Sequence, residues 1–181
     1  MVILKIKLKK LTSSGFTLIE TIIYIGIIGL VISSFVLFSL SISDSRAKTH
    51  ATQEVQANGR QAMEIISQKI RSAVAVNPDM SFFSSDPGLL FLIMPEAAKT
   101  PTVISLNQDD GVLVIREGRF SDAIPIVSQE VKITNLIFTD LTPPSGPGNI
   151  KIEMTIEYDG GGQNVNYSAS QDLETTVSLR R

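Results

Sequence analysis

The sequence predicts an α+β fold: one long N-terminal helix, half membrane-spanning and half amphipathic, packed against an antiparallel β-rich head. Three observations lead there. An uncharged apolar run follows a basic N-terminus, a helical stripe of small and aliphatic residues continues beyond that run, and past Pro78 the pattern changes to short apolar runs separated by Pro, Gly, Asn and Asp. These changes divide the chain into a basic leader (1–15), a transmembrane helix (16–43), an amphipathic stalk helix (44–77) and a β-rich globular head (78–181).

The leader carries Lys5, Lys7, Lys9 and Lys10 and no acid. Thr21 to Ser43 is free of charge and apolar on every side, and about 20 apolar residues suffice for a helix to cross the hydrocarbon of a bilayer. Positive charge before the span keeps the N-terminus in the cytoplasm and sends the remainder outward. A secretory signal has its small-residue cleavage site after the apolar stretch. Here Ser13-Ser14-Gly15 precedes it, so a cut there removes the lysines and keeps the anchor. Glu20 stands at the edge of the run, where an acid costs less than the ~2.5–3.5 kcal/mol of the bilayer centre but still calls for a partner.

Beyond Ser43, Ala47, Ala51, Val55, Ala62, Ile66, Ile70 and Ala73 lie on one helical face. Burial beneath the head's own sheet is the expected use of this stripe. A seam for a partner helix is the rival, since Ala47, Ala51, Ala57 and Gly59 permit close approach. Pro78 closes the helix, because the residue before a proline is biased away from helix.

In the head, Leu89–Ile93 and Val112–Ile115 are continuous apolar runs expected as strands buried on both faces, with a turn at Asp109-Asp110-Gly111. Between Val131 and Leu141 the apolar alternation slips at Asn135, which predicts a bulge. Ile150, Ile152, Met154, Ile156 and Tyr158 alternate with polar residues as a half-buried strand. Asp159 to Gln163 reads as a hairpin loop leading to Val165, Tyr167 and Ala169, and Leu173, Val177 and Leu179 continue the alternation. Thr142 to Gly148, rich in Pro and Gly, reads as a surface loop.

Composition thins the chemistry. There is no Cys, so no disulfide, thiolate nucleophile or Cys-based metal site; the one histidine, His50, is expected on the polar face of the stalk and not as a ligand. A formal net charge of −2 gives no cationic field for phosphate backbones, so no direct nucleic-acid binding is expected. No phosphate-cradling loop, nucleophile elbow or His-Glu zinc motif occurs. No catalytic residue, metal or cofactor is therefore assigned. Asp109, Asp110, Asp159 and Asp172 could offer oxygens to calcium, but they lack the ordered spacing of a calcium loop, and turn chemistry accounts for them better.

Lys9-Lys10-Leu11-Thr12-Ser13-Ser14-Gly15-Phe16-Thr17-Leu18-Ile19-Glu20 resembles the class III prepilin signal of type IV pilins and type II secretion pseudopilins. The resemblance couples a basic leader, a Gly-Phe junction, a Glu at the fifth place after that junction and a long apolar run. It implies cleavage by prepilin peptidase between Gly15 and Phe16 and N-methylation of the new terminus at Phe16. It also implies that Glu20 pairs with the amine of a neighbouring subunit's Phe16 as an assembly register key. Segments of the head, Val131 to Phe138 and Thr175 to Arg180, resemble those of minor pilins and larger minor pseudopilins. Many major pilins carry a proline in the anchor; none stands between Phe16 and Asn77, so a minor, initiating or tip, subunit is expected.

The expected partners are sibling pilin or pseudopilin subunits, prepilin peptidase, the inner-membrane assembly platform and the lipid bilayer. The expected location is the inner membrane and then a pilus or pseudopilus, with the head outside the cytoplasm. The alternative is a signal-anchored adhesin or ligand-binding ectodomain that never polymerises; a membrane-tethered enzyme lacks a constellation of residues to support it.

Overall fold

The computed structural model describes residues 15–160 and 168–180. The chain is α+β, with a helix α1 (Leu18–Ser72), a five-stranded antiparallel sheet and a three-stranded antiparallel sheet. It divides into two compact units, Met1–Asp44 and Ser45–Arg181.

In the first unit, the described residues of α1 are exposed along nearly their whole apolar length, from Leu18 to Leu40. This is the one described helix long and apolar enough to cross a membrane.

In the second unit, the continuation of α1 buries Ala51, Val55, Gly59, Ala62, Met63, Ile66 and Ile70. Val55, Ala62, Met63, Ile66 and Ile70 join the strands' inner faces in one core, so the stripe lies under the head's own sheets, as its spacing predicts. A Cβ on Gly59 would come within 2.6 Å of Leu173 Cδ1, so the absence of a side chain lets the second sheet approach the helix. Of the small residues considered for a partner seam, Ala51 and Gly59 are buried within the chain and Ala57 is exposed.

The helix stops at Ser72, earlier than the boundary at 77 drawn from Pro78. Capture by the sheet is the reason. Val74 N–H donates to Ile93 O at 2.8 Å, and β1 (Ala75–Val76) pairs with the end of β2 (Leu89–Ile93). β-Branched Val74 and Val76, on either side of Ala75, favour extended backbone, and pairing with the edge of β2 supplies ladder hydrogen bonds in place of another helical turn. Ser81 then fastens the intervening loop by donating to Asn77 O at 2.7 Å and accepting from Phe91 N–H at 3.0 Å.

The first sheet is a meander in the order β1-β2-β3-β4-β5, with β3 at Thr102–Asn107, β4 at Val112–Glu117 and β5 at Ile124–Pro125. The expectation that β2 and β4 are buried on both faces is corrected. Leu90, Leu92, Leu113 and Ile115 are buried, whereas Leu89, Phe91, Val112 and Val114 are half-buried and Ile93 is exposed. Only one face meets α1 and the other sheet, and with no layer on the outer face among the described residues, apolar residues there remain partly wet. The Asp109-Asp110-Gly111 turn is present between β3 and β4, with Gly111 at φ +64°, a conformation that favours glycine.

The second sheet has the order β6-β7-β8, with β6 at Val131–Asp140, β7 at Asn149–Tyr158 and β8 at Ser170–Ser178. The predicted bulge is there: Ile133 pairs with Ile156 and Asn135 with Thr155, leaving Thr134 as the extra residue. That insertion returns Leu136 and Phe138 to the face already occupied by Val131 and Ile133, and all four are buried. The half-buried alternation of β7 is also present, as Ile150, Ile152, Met154 and Ile156 are buried. The tip of the β7–β8 loop, with Val165 and Tyr167, lies outside the described residues; Ala169 N-terminal to β8 accepts a hydrogen bond from Tyr158 N–H at 2.8 Å.

The two sheets meet along the outer edge of β6. Ile133 N–H donates to Gly111 O at 2.8 Å, Ser84 N–H to Phe138 O at 2.8 Å, Gly88 N–H to Leu136 O at 2.6 Å, and Asp86 Oδ1 accepts from Leu136 N–H at 3.0 Å. A loop thus satisfies an edge that would otherwise be open for pairing with another chain.

Lys69, in the last turn of α1, is ion-paired with Glu117 at the end of β4. The hydrogen bond from Lys69 holds the Glu117 carboxyl below its ordinary range, with burial opposing. A folded-state value below the unfolded one stabilises the fold above the ordinary carboxylate pKa, and this contribution disappears as pH falls through the depressed value. With the two side chains 27% and 30% exposed, the pair contributes about 0.2–1 kcal/mol after screening by solvent. Denaturant unfolding of Glu117→Gln should therefore show a loss of that size at neutral pH and little difference from the parent chain in strong acid.

Candidate functional site

The residues singled out for processing and assembly lie at the entrance to α1. Gly15, Phe16 and Thr17 are outside the helix, and Leu18 is its first residue. Gly15 is exposed, and a Cβ built on it meets no atom within 4 Å among the described residues. Phe16 is 74% exposed and its ring stands edge-on to Tyr24, with centroids 5.9 Å apart. The lysines of the leader lie outside the described residues.

The helix starts at Leu18 because Thr17 caps it. Thr17 Oγ1 accepts from Glu20 N–H at 3.3 Å, and Thr17 O accepts from Thr21 N–H at 3.1 Å and from the Thr21 hydroxyl at 3.2 Å. An N-terminal turn leaves backbone N–H groups without helical acceptors, and a threonine side chain supplies one. Thr17-Leu18-Ile19-Glu20 has the spacing of a capping box, in which the acid three residues after the cap lies in the first turn. Thr17 is a functional residue beyond the Gly-Phe junction and Glu20, and the box that marks it is legible in the sequence. Glu20 consequently has two uses open to it: its charge favours the positive end of the helix dipole, and the same carboxylate is the acid at the N-terminal border of the apolar run.

Within the apolar stretch, Ser33 Oγ donates to Gly29 O at 2.8 Å, so this polar side chain is satisfied by its own helix. Gly26 and Gly29 meet no atom within 4 Å where a Cβ would stand.

In the head, the side chains of three of the four aspartates considered for calcium have other engagements. Asp110 Oδ2 accepts from Asn107 Nδ2 at 3.1 Å, Asp159 is 3.4 Å from Lys132, and Asp172 Oδ1 accepts from Thr155 Oγ1 at 2.8 Å. Asp109 N–H donates to Asn107 Oδ1 at 3.4 Å in the β3–β4 turn. Asp172 is in strand β8 and not in a loop. Asp109, Asp110 and Asp159, together with Asp86 and Lys132, border a broad groove of about 850 Å³ between the β3–β4 turn and β6. His50 is exposed on α1, as expected of a polar-face residue, and sits beside Glu54 and Glu130.

Asn58 is a residue that the sequence did not point to. Buried on α1, it donates through Nδ2 to Glu54 O at 3.0 Å and Glu54 Oε2 at 3.1 Å, while its Oδ1 accepts from Ser128 N–H at 2.8 Å. It joins the helix to the segment that leads into β6. A polar residue within an otherwise apolar stripe was the available signal, since burial there demands partners.

Comparison with protein-family models, with curated proteins and with solved structures finds no match.

Proposed function

We propose that this chain is a structural assembly subunit of a type IV pilus or type II secretion pseudopilus, with a minor, initiating or tip, role. The observation that carries the reading is the order at the entrance to α1: a Gly-Phe junction outside the helix, then a capped first turn bearing Glu20, then an uncovered apolar segment. That order suits a subunit cut between Gly15 and Phe16 and held in the bilayer by what remains. Cleavage strips Lys5, Lys7, Lys9 and Lys10, the charges that would oppose extraction from the membrane, and leaves a new amine at Phe16 for methylation. Glu20 then serves as the register key for the amine of a neighbouring subunit.

On this reading the head stands outside the cytoplasm, and the work is mechanical, without catalysis. Its partners are sibling subunits, prepilin peptidase, the assembly platform and the bilayer. The absence of an anchor proline supports the minor role.

Mass spectrometry of the chain purified from cells with active prepilin peptidase tests the reading. The expected N-terminus is Phe16, one methyl group heavier than the unmodified residue. An intact terminus at Met1 would overturn it in favour of a signal-anchored ectodomain.

A further inference from the structure

His50 and Glu54 are one helical turn apart on α1, and Glu130, from the segment preceding β6, faces them. His50 Nε2 is 4.0 Å from Glu54 Oε1, His50 Nδ1 is 3.9 Å from Glu130 Oε2, and the three groups offer ligand atoms that all lie within 4.8 Å of one another. None of these separations between the side chains is a hydrogen bond.

Two further observations set this cluster apart from a solvated charge group. Glu130 Oε2 is shut off from solvent and takes no hydrogen bond, although the Glu130 side chain as a whole is 46% exposed. A carboxylate oxygen without water or donor is costly, and a cation at the centre of the cluster would supply the missing partner. The ligands are also held from behind. Asn58 Nδ2 fixes Glu54 Oε2 at 3.1 Å, leaving Oε1 toward His50, and the Tyr158 ring stands edge-on to the imidazole with centroids 6.4 Å apart. Outer partners of this kind orient the ligands of metal sites.

We propose that His50, Glu54 and Glu130 form a binding site for a borderline divalent cation of the zinc type, tying the stalk portion of α1 to the segment that leads into β6. One imidazole nitrogen and two carboxylate oxygens are a donor set that such ions accept, whereas magnesium and calcium prefer oxygen throughout. Tetrahedral coordination with bonds of about 2.1 Å places ligand atoms ~3.4 Å apart, so loading draws the cluster inward by about 0.5–1.4 Å. His50, with its side chain 56% exposed, is free to make most of that movement and leaves a side of the ion open to water. Counting histidines and cysteines does not reveal this site, because two of its three ligands are carboxylates and one of them comes from a distant part of the chain.

The test is calorimetric titration of the metal-stripped full-length chain in detergent with zinc chloride alone. His50 is the sole histidine, so its imidazole proton resonances provide an independent readout. Expected are one ion per chain, a shift of the His50 resonances that saturates with the heat, and affinity at least about tenfold weaker in both His50→Gln and Glu130→Gln, the loss typical even of outer-sphere partners. Far-UV circular dichroism establishes that both variants are folded. An excess of magnesium should not displace the ion. Absence of binding, binding that leaves the His50 resonances unmoved, unchanged affinity in both folded variants, or displacement by magnesium would each overturn the site.

Discussion

Phe138→Ala is expected to destabilise the head by about 3–5 kcal/mol, the range for removing a fully buried aromatic side chain. Phe138 is 0% exposed and lies on the inner face of β6, in the same core as the α1 stripe and β2, β4 and β7. Its backbone carbonyl also accepts from Ser84 N–H, so the residue sits where the joining loop, β6 and the core meet. Collapse of the surroundings onto the cavity is hindered because Gly88, whose added Cβ would be 2.8 Å from Phe138 Cδ2 and 2.9 Å from Leu136 O, already lies against the ring. Since whole domains are stable by only about 5–15 kcal/mol, the loss takes a large share of what holds the head folded. Urea unfolding followed by circular dichroism measures it. Ile124→Ala, at a side chain that is 63% exposed on the short edge strand β5, should change stability by no more than about 0.5 kcal/mol in the same experiment.

The residues around Phe138 also show what a linear reading of the chain can and cannot reach. The slip at Asn135 was legible because one inserted residue moves the whole apolar set to the other face, so the sequence must record it as a broken alternation. The α1 stripe and the alternation of β7 were legible for the same reason: each has one buried face, and its period is written in the residues. The two sheets were not separable in this way, because their boundary depends on the hydrogen bonds of Ser84, Gly88 and Gly111 to β6, among residues far apart in the chain. Apolar runs such as Leu89–Ile93 carry no periodicity that could distinguish one buried face from two. The short strands β1 and β5 owe their existence to an available neighbour more than to local preference, whereas β3 carries β-branched Thr102, Val103 and Ile104, a local signal for a strand.

At the entrance to α1 the limits were different. Gly15, Phe16 and Glu20 were singled out by a motif, and the helix start adds a competing physical role for the last of them. The capping spacing from Thr17 to Glu20 lies inside that motif and is written in the same residues. The group around His50 was invisible because Glu130 approaches it only through the packing of the β6 entrance against α1, anchored by Asn58 and Ser128.

Glu20→Ala is expected to leave membrane insertion intact and to abolish most incorporation into filaments, a result measured by comparing membrane-bound and assembled pools of the chain. The substitution removes an acid whose burial near the hydrocarbon is unfavourable, so insertion should not suffer. On the proposed function it also removes the partner of a neighbouring subunit's amine. Opposite charges about 4 Å apart attract by ~4 kcal/mol at an effective dielectric near 20, enough to decide whether a subunit docks in register. Alanine would in addition disturb the first turn of α1, where Thr17 and Glu20 stand in capping-box spacing. Two further variants separate these effects. Glu20→Gln keeps a residue able to complete the box but carries no charge. Thr17→Ala keeps the charge and loses the cap, at about 0.5–2 kcal/mol. If pairing with the amine governs assembly, the glutamine chain fails as the alanine chain does, while the Thr17 variant assembles with at most a modest deficit. The opposite pattern, with the glutamine chain assembling and the Thr17 chain failing, would make Glu20 a helix-start residue and remove the register key from the proposed function.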